Sequence, residues 1–331
     1  MYDKAYHPND INNLNFLVTG GAGFIGSNLV EYLLHHNAKK VVVLDNYATG
    51  FASNLVQFKN HTNLEIIDGD ICSLDDCNNA CKNIDYVLHQ AALGSVPRSV
   101  ENPIATNKVN VDGFLNMLVA ARDAKVKRFV YASSSSVYGD SKVLPKVENQ
   151  IGNPLSPYAV TKLLNELYAD VFAKTYKMEI TGLRYFNIFG PRQNPGGPYA
   201  AAIPLFMDAL LSHKPAYING DGGQTRDFTF VKNAVEANIK ALFAPKNEGD
   251  PMVFNIAVSD RISIKELYEI LKSVAGSKLD AVHREERPGD IRDSLADISN
   301  AKKYIGYNPQ VKMVDGLKIT MDWFKQAFYN N

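Results

Sequence analysis

The chain has 331 residues, 46% of them hydrophobic, so it is long enough for one large domain or two unequal ones with a substantial core. Its 35 Lys and Arg balance its 35 Asp and Glu, which argues against nucleic acid or an anionic membrane as the main partner. No apolar run has membrane-spanning length, and residues 1–15 lack the apolar core of a signal peptide, so we expect a cytoplasmic protein. We expect the mostly polar residues 1–14 to form an exposed N-terminal arm.

A glycine-rich turn follows the first apolar run, residues 16–18, and precedes a helical pattern over residues 27–35. Gly20 permits a tight turn, Gly23 lets the backbone approach a pyrophosphate, and Gly26 lets the helix pack closely on the strand. Phosphates would lie at the helix N-terminus, where free N–H groups and the helix dipole favour negative charge. The residues of this turn predicted to bind a dinucleotide are Gly20, Gly23, Phe24, Ile25 and Gly26.

The next two predicted strands each end in a carboxylate. Residues 40–44 lead into Asp45, about twenty residues past the glycines, where an acid binds the adenosine ribose diol and would repel a 2′-phosphate. We therefore predict NAD and not NADP. Residues 64–70 form the other strand. The end of this second strand and the loops after both strands add five predicted cofactor contacts: Asn46, Thr49, Gly50, Asp70 and Ile71.

Three cysteines, Cys72, Cys77 and Cys81, fall within one predicted helix. Their spacing fits neither C-x-x-C nor a zinc site, and an odd number argues against a disulfide framework. We predict spare thiols in a reducing compartment and no metal.

Two more strands bring polar residues to the same sheet edge. Residues 86–89 lead into Gln90 and then small residues, which would let the chain pass close to the cofactor. Residues 128–132 lead into four serines, among them Ser134. Parallel strands bind ligands at their carboxyl ends, so these residues are expected to meet there.

The helix after the serines carries the catalytic pair. It begins with a capping Ser156 and a proline, and it places Tyr158 and Lys162 four residues apart on one face. A phenol is a poor base at neutral pH, but the lysine ammonium and the positive nicotinamide ring would lower its pKa. With Ser134 bonding the same substrate oxygen, this trio would take a proton from an alcohol as hydride leaves its carbon.

The segments 93–99, 133–139 and 183–190 carry a family resemblance. From about residue 15 onward, the chain resembles the extended short-chain dehydrogenase/reductases that act on nucleotide sugars. Within them it looks like the UDP-hexose 4-epimerases, most of all the bacterial UDP-N-acetylglucosamine 4-epimerases. The resemblance implies a Rossmann-type doubly wound parallel sheet with a smaller α/β substrate domain, and NAD as cofactor.

The resemblance also implies domain limits and site residues. Residues 15–186, with a return near 229–257, would bind NAD, and residues 187–331 would mainly bind the UDP-sugar. Ser134 would be the catalytic serine, and Asn110 and Phe186 would lie near the nicotinamide. Arg226, Arg287 and Asn187 would contact the diphosphate, Asp290 the ribose, and Tyr217 and Asn219 the uracil. Further substrate contacts would be Ser95, Arg98 and Ser294.

The reaction implied is C4 epimerisation through a 4-keto sugar, converting UDP-GlcNAc to UDP-GalNAc for polysaccharide biosynthesis, or acting on the uronate form. Dehydratases and decarboxylases of this family carry an acid near Ser135 or Ser136, and this chain has only hydroxyls there. A UDP-glucose or UDP-glucuronate 4-epimerase stays open as the alternative. Less favoured are another nucleotide-sugar dehydratase or decarboxylase and a cofactor-sensing binding protein. Ser294 would leave room for an N-acetyl group, and Arg98 would either meet a C6 carboxylate or serve loop structure.

The resemblance also predicts the assembly. Residues 111–121 and 163–172 form helices with apolar residues on more than one face. One face must cover the sheet, and the other is available for a second copy. We therefore expect a homodimer built around a four-helix bundle.

Overall fold

A seven-stranded parallel sheet forms the centre of the protein in the computed structural model, which describes residues 1–196, 200–286 and 292–329. From one edge to the other, its strands are Val253–Ile256, Ile180–Tyr185, Arg128–Ser134, Tyr86–His89, Asn15–Thr19, Lys40–Asp45 and Leu64–Asp68. The strands of the described residues are β1 (Asn15–Thr19), β2 (Lys40–Asp45), β3 (Leu64–Asp68), β4 (Tyr86–His89), β5 (Arg128–Ser134), β6 (Ile180–Tyr185), β7 (Ile188–Phe189), β8 (Tyr217–Asn219), β9 (Thr225–Arg226), β10 (Thr229–Phe230), β11 (Val253–Ile256), β12 (Ile262–Ser263) and β13 (Val282–Arg284).

Helices cover both faces of this sheet. They are α1 (Phe24–His35), α2 (Leu74–Ala80), α3 (Val96–Glu101), α4 (Pro103–Asn107), α5 (Gly113–Asp123), α6 (Pro157–Tyr176), α7 (Ala202–Leu211), α8 (Val231–Phe243), α9 (Ile264–Ala275), α10 (Ser299–Ile305) and α11 (Met313–Phe324). Side chains alternate along each strand, so Phe16 and Val18 join one core with α1 and α8, while Leu17 joins another with α2, α5 and α6. The predicted doubly wound fold is confirmed.

A third core builds the smaller lobe from α7, α9, α11 and short strand pairs. Phe206, Tyr268 and Met321 are buried in it. The chain returns to the central sheet between these parts, because β11 pairs in parallel with β6. This strand lies within residues 229–257, where the sequence analysis expects the chain to return to the cofactor-binding domain.

The turn after β1 shows why glycine is needed there. Gly20 has a φ of +67°, which L side chains rarely adopt. A Cβ on Gly26 would lie 2.1 Å from the Gly20 carbonyl oxygen, so α1 can cross the strand end this closely only without a side chain.

The N-terminal segment is not an exposed arm, and that prediction is wrong. Tyr2, Tyr6 and Ile11 are buried, and both tyrosine rings pack on Tyr32 of α1. The sequence did not indicate this burial, because polar residues separate these three apolar side chains and their spacing matches neither a helix nor a strand pattern.

The cysteines are free thiols, as predicted, but they do not share one helix. Only Cys77 lies within α2, while Cys72 precedes that helix and Cys81 caps its end. Among the residues that the structure describes, no group of His, Cys, Asp or Glu side chains could hold a metal ion. None of the helices in the described ranges combines the length and apolarity needed to cross a membrane.

The only tryptophan of the chain, Trp323, lies on α11. It lines a cavity of about 450 Å³ between the end of this helix and the loop after β2. The cavity is also lined by Phe51, Phe328 and Arg192, so it lies between the smaller lobe and the central domain.

Candidate active site

A cleft of about 680 Å³ runs along the carboxyl edge of the central sheet. Almost all of the predicted cofactor residues line it: Gly20, Gly23, Phe24, Ile25, Gly26, Asp45, Asn46, Thr49, Gly50, Asp70, Ile71, Gln90, Tyr158 and Lys162. The predicted substrate residues Ser95, Arg98, Ser134 and Asn187 line it as well.

Asp45 is placed by two backbone donors. Its carboxylate accepts bonds from the N–H groups of Ala22 and Tyr47, each at 2.8 Å. Burial raises the pKa of Asp45, and these two bonds partly offset that rise. The carboxylate therefore ends β2 beside the glycine turn, where it can also accept from a ribose diol. With the side-chain-free cradle at Gly20 and Gly23, these residues fit a dinucleotide.

Two predicted cofactor residues lie behind the cleft and do not line it. Asn110, in a π-helical turn before α5, is buried and bonds both backbone groups of Leu93 and the Thr161 hydroxyl. Phe186 is fully buried against Tyr138. Asn110 thus fixes the loop that follows β4, which does line the cleft.

Ser134, Tyr158 and Lys162 meet where β5 ends beside the start of α6. The Lys162 ammonium donates to the Ala132 carbonyl at 2.8 Å and lies 5.9 Å from the centre of the Tyr158 ring. Burial lowers the pKa of Lys162 to about 8, and the nearby Glu166 carboxylate works against that fall. The lysine therefore loses its proton at a lower pH than an exposed lysine does.

The pKa of Tyr158 differs from the sequence-based expectation. Burial raises the pKa of the phenol, and its hydrogen bond with Ser134 lowers that pKa. Lys162 was expected to do this, but its ammonium is turned to the backbone of β5. Within the protein alone, burial of the phenol is therefore the largest effect on the pKa of Tyr158, and the hydrogen bond with Ser134 offsets only part of it.

A buried ion pair behind the trio was missed by sequence reasoning. Glu166, one turn beyond Lys162, bonds Arg184 of β6 through both carboxylate oxygens, at 2.9 and 2.8 Å. Its Oε1 also accepts from the Ser133 hydroxyl at 2.5 Å. The i+4 spacing from Lys162 was the available signal, but its partner lies on a separate strand.

A ring of three side chains forms another part of the site that the sequence did not reveal. The Tyr185 hydroxyl donates to Gln90 at 3.2 Å and accepts from Asn238 at 2.7 Å, and Gln90 donates to Asn238 at 3.1 Å. Gln90 and Tyr185 line the cleft. Asn238 lies on α8 and so fixes both of them from outside.

A second cavity of about 550 Å³ continues from the cleft into the smaller lobe, and Asn187 and Gln193 line both. Tyr217, Asn219 and Arg226 line this cavity, as does Arg284, which the sequence analysis did not single out. Such a cavity beside a dinucleotide cleft has room for a second nucleotide.

Arg284 fixes the orientation of the Asn219 amide. Its Nε donates to Asn219 Oδ1 at 2.6 Å, and its guanidinium lies 5.3 Å from the centre of the Tyr217 ring. Arginine can only donate, so the atom facing it must be the amide oxygen. No acceptor for Asn219 Nδ2 lies within residues 1–196, 200–286 or 292–329, which leaves a donor for a ligand.

The remaining predicted substrate residues fall into three groups. Ser95 has a φ of 108°, a strained value for a residue with a side chain, and its hydroxyl accepts from the Arg98 N–H. Arg287 and Asp290 lie outside the described residues. Ser294 pairs through its backbone N–H with the Thr225 carbonyl at 3.1 Å and lines neither cavity as described.

Known proteins resemble this chain over nearly its whole length. The model of the NAD dependent epimerase/dehydratase family matches residues 16–257. A UDP-glucose 4-epimerase of Mycolicibacterium smegmatis is 35% identical, over 93% of this chain and 98% of its own length.

Two solved structures have the same fold. One is a UDP-N-acetylglucosamine 4-epimerase from Methanobrevibacter ruminantium M1 in complex with UDP-N-acetylmuramic acid, with a TM-score of 0.89, 42% identity and coverage of 95% of this chain and 98% of the other. The other is a UDP-glucuronic acid 4-epimerase from Bacillus cereus in complex with UDP-glucuronic acid and NAD, with a TM-score of 0.86, 32% identity and coverage of 95% and 99%. The chain therefore belongs to the NAD-dependent epimerase/dehydratase family, and its cofactor is NAD.

Proposed function

We propose that this protein inverts the configuration at C4 of a UDP-N-acetylhexosamine, interconverting UDP-GlcNAc and UDP-GalNAc. The observation that carries the proposal is that Ser134, Tyr158 and Lys162 line the cofactor cleft where it continues into a second cavity. A sugar at that junction can reach the trio while its nucleotide occupies the second cavity.

The catalytic roles follow from the chemistry of these side chains. Tyr158 accepts the proton of the sugar O4 and later returns a proton to that same oxygen, when hydride adds to the opposite face of C4. Ser134 bonds both Tyr158 and the sugar oxygen, and Lys162 supplies positive charge beside the phenol. Bound NAD supplies the hydride acceptor and donor at C4. Between these steps, the 4-keto sugar rotates about its link to the diphosphate, which stays bound, and presents its other face.

The diphosphate and base would be held by the smaller lobe. The Asn187 amide donates to the Asp227 carbonyl at 2.9 Å, which fixes it at the boundary of the two cavities. Arg226 lines the second cavity, and a guanidinium suits a diphosphate. We assign Arg287 to the same diphosphate, Asp290 to the ribose, and Tyr217 and Asn219 to the uracil.

Epimerisation fits the chain better than elimination or decarboxylation. The residues after Ser134 are Ser135 and Ser136, and neither can act as the acid that those reactions use. A binding protein without catalysis would have no need of the Tyr158 and Lys162 pair. Among epimerase substrates, we propose the N-acetylated sugar because the small Ser294, four residues after Asp290, would leave room for a group at C2. This assignment rests on the sequence, since Ser294 lines neither cavity.

A uronate is the second candidate substrate. Arg98 lines the cleft beside Ser95, close to the catalytic edge, where a guanidinium could meet a C6 carboxylate. A UDP-glucose or UDP-glucuronate 4-epimerase would use the same trio. These candidates differ at C2 and C6 only.

Product analysis separates them. The purified protein is incubated with UDP-GlcNAc, its uronate, UDP-glucose and UDP-glucuronate, and the sugar products are identified by NMR, with the Tyr158→Phe variant as control. We expect the C4 epimer of UDP-GlcNAc to form fastest. A 4-keto-6-deoxy sugar or a pentose product would contradict the proposal.

We also propose a cytoplasmic homodimer. The three unpaired thiols suit a reducing compartment. On α6, Val160, Leu167 and Val171 form a stripe of exposed apolar side chains, about half exposed each, on the helix that carries the catalytic pair. A four-helix bundle of α5 and α6 with their copies would cover it.

A further inference from the structure

The N-terminal segment is attached to the cofactor-binding helix. The Tyr6 ring stacks on Tyr32 with ring centres 5.5 Å apart, and the Tyr2 ring meets Tyr32 edge-on at 5.9 Å. The Tyr6 N–H donates to the Tyr32 hydroxyl at 2.7 Å. The segment therefore has a defined position on α1.

Its contacts continue through one fully buried amide, Asn28 of α1. Asn28 Oδ1 accepts from the Tyr2 hydroxyl at 2.8 Å and from Arg192 at 2.6 Å. Asn28 Nδ2 donates to the carbonyls of Phe24 and Pro191, at 2.9 and 3.2 Å. Every donor and acceptor of the amide is thus used, and Tyr2 and Arg192 share its oxygen.

Arg192 is held in an unfavourable conformation. Its φ is 72°, in the left-handed region, and its side chain is buried and also pairs with Glu31 of α1. A non-glycine residue stays in that region only where its surroundings hold it. Asn28 and Glu31 are those surroundings, and Tyr2 completes them.

The residues after Arg192 form a boundary of the site. Gln193, Asn194 and Gly196 line the cofactor cleft, and Gln193 also lines the second cavity. We propose that Tyr2 is a positioning residue which, through Asn28 and Arg192, sets the loop at residues 192–196 between cofactor and substrate. This inference rests on the proposed function only where its test measures turnover of UDP-GlcNAc.

The test compares two tyrosines of the same segment. Tyr2→Phe removes the hydroxyl that bonds Asn28, whereas Tyr6→Phe removes a hydroxyl with no partner in the described ranges and keeps the ring stacking. The affinity tag is placed at the C-terminus. We expect Tyr2→Phe to raise the KM for UDP-GlcNAc and the rate of NAD release about three- to tenfold, with kcat changed less than twofold. Tyr6→Phe should match the wild type.

A second variant tests the route. Arg192→Lys keeps the positive charge but loses the planar guanidinium with its several donors. Combining it with Tyr2→Phe should change KM and NAD release little more than either variant alone, because both act on the same loop. Fully additive effects, equal effects of the two tyrosine variants, or a lower melting temperature without a change in KM or NAD release would overturn the inference. If the wild type does not turn over UDP-GlcNAc, the proposed function fails, and NAD release still decides this inference.

Discussion

At the scale of single residues, Tyr158 is the group that we propose transfers the proton. The Tyr158→Phe variant removes only the hydroxyl, so it should bind UDP and NAD like the wild type but lose turnover by about 10²–10⁴-fold. Steady-state kinetics and calorimetric UDP titration measure both. Ser134→Ala should be less impaired, because Ser134 assists the phenol and does not accept the proton itself. Turnover like that of the wild type would remove Tyr158 from the mechanism.

A second prediction at this scale concerns the base that we propose binds in the second cavity. With its oxygen bound by Arg284, Asn219 offers a donor, which matches the O4 carbonyl of uracil and opposes the amino group of cytosine. UDP should therefore bind more tightly than CDP by about 1–3 kcal/mol, which corresponds to a factor of roughly 5 to 150 in Kd.

The Arg284→Met variant leaves the Asn219 amide free to rotate by 180° and present its oxygen. Most of the preference for UDP over CDP should therefore disappear. Arg292→Met is the matched control, because Arg292 is an exposed arginine of the same lobe that pairs with Asp221. Isothermal titration of the three proteins with UDP and CDP gives the ratios. An unchanged ratio in Arg284→Met would mean that Arg284 does not select the base.

At the scale of elements, Asp227 ties three segments together. Its carboxylate accepts from the backbone of Val258, just after β11, at 3.1 Å and from that of Ala296 at 3.4 Å, and its carbonyl holds Asn187. Burial raises its pKa to about 7, partly offset by these backbone bonds. A buried acid at this joint is therefore protonated in mildly acidic solution.

The sign of the pH effect follows from that raised pKa. Between about pH 4 and 7 the folded state holds this proton more tightly than the unfolded state. The contribution of Asp227 to the free energy of unfolding therefore falls across this range and is lost once the pH has risen through 7. Asp227→Asn removes this loss. The free energy of unfolding of the wild type, minus that of the variant, should fall by up to about 4 kcal/mol over this range. Urea unfolding at several pH values measures it, and a constant difference would contradict the assignment.

The sequence predicted the elements of the central domain because their signals are local. Glycine spacing, a strand ending in Asp45, and Tyr158 and Lys162 at i and i+4 can each be recognised within a few residues. The Glu166–Arg184 pair, the ring around Tyr185, and the Arg284–Asn219 bond join residues distant in sequence, so no local pattern indicates them. The buried N-terminal segment was mispredicted for the same reason. The assigned roles of the site residues and the domain limits stay predictions.

At the scale of the whole molecule, the apolar stripe on α6 predicts the assembly. Leu167→Glu places a charge at its centre, so a dimer built on this face should dissociate. Light scattering should give twice the 36.6 kDa of one chain for the wild type and one chain's mass for the variant. Ile319→Glu changes an exposed apolar residue of α11 and should stay dimeric. A wild type that is monomeric at micromolar concentration would refute the dimer.

The position of Trp323 gives the protein its own optical probe. As the single indole of the chain, it lies where α11 meets the loop after β2, in the cavity that Arg192 also lines. Its fluorescence emission should therefore shift when the smaller lobe moves against the cofactor domain, for example as UDP binds. Reduced NAD absorbs light where tryptophan emits, so energy transfer from Trp323 would also report how much cofactor is reduced during turnover. Both signals come from the unlabelled enzyme, and Trp323→Phe identifies them because it removes their source.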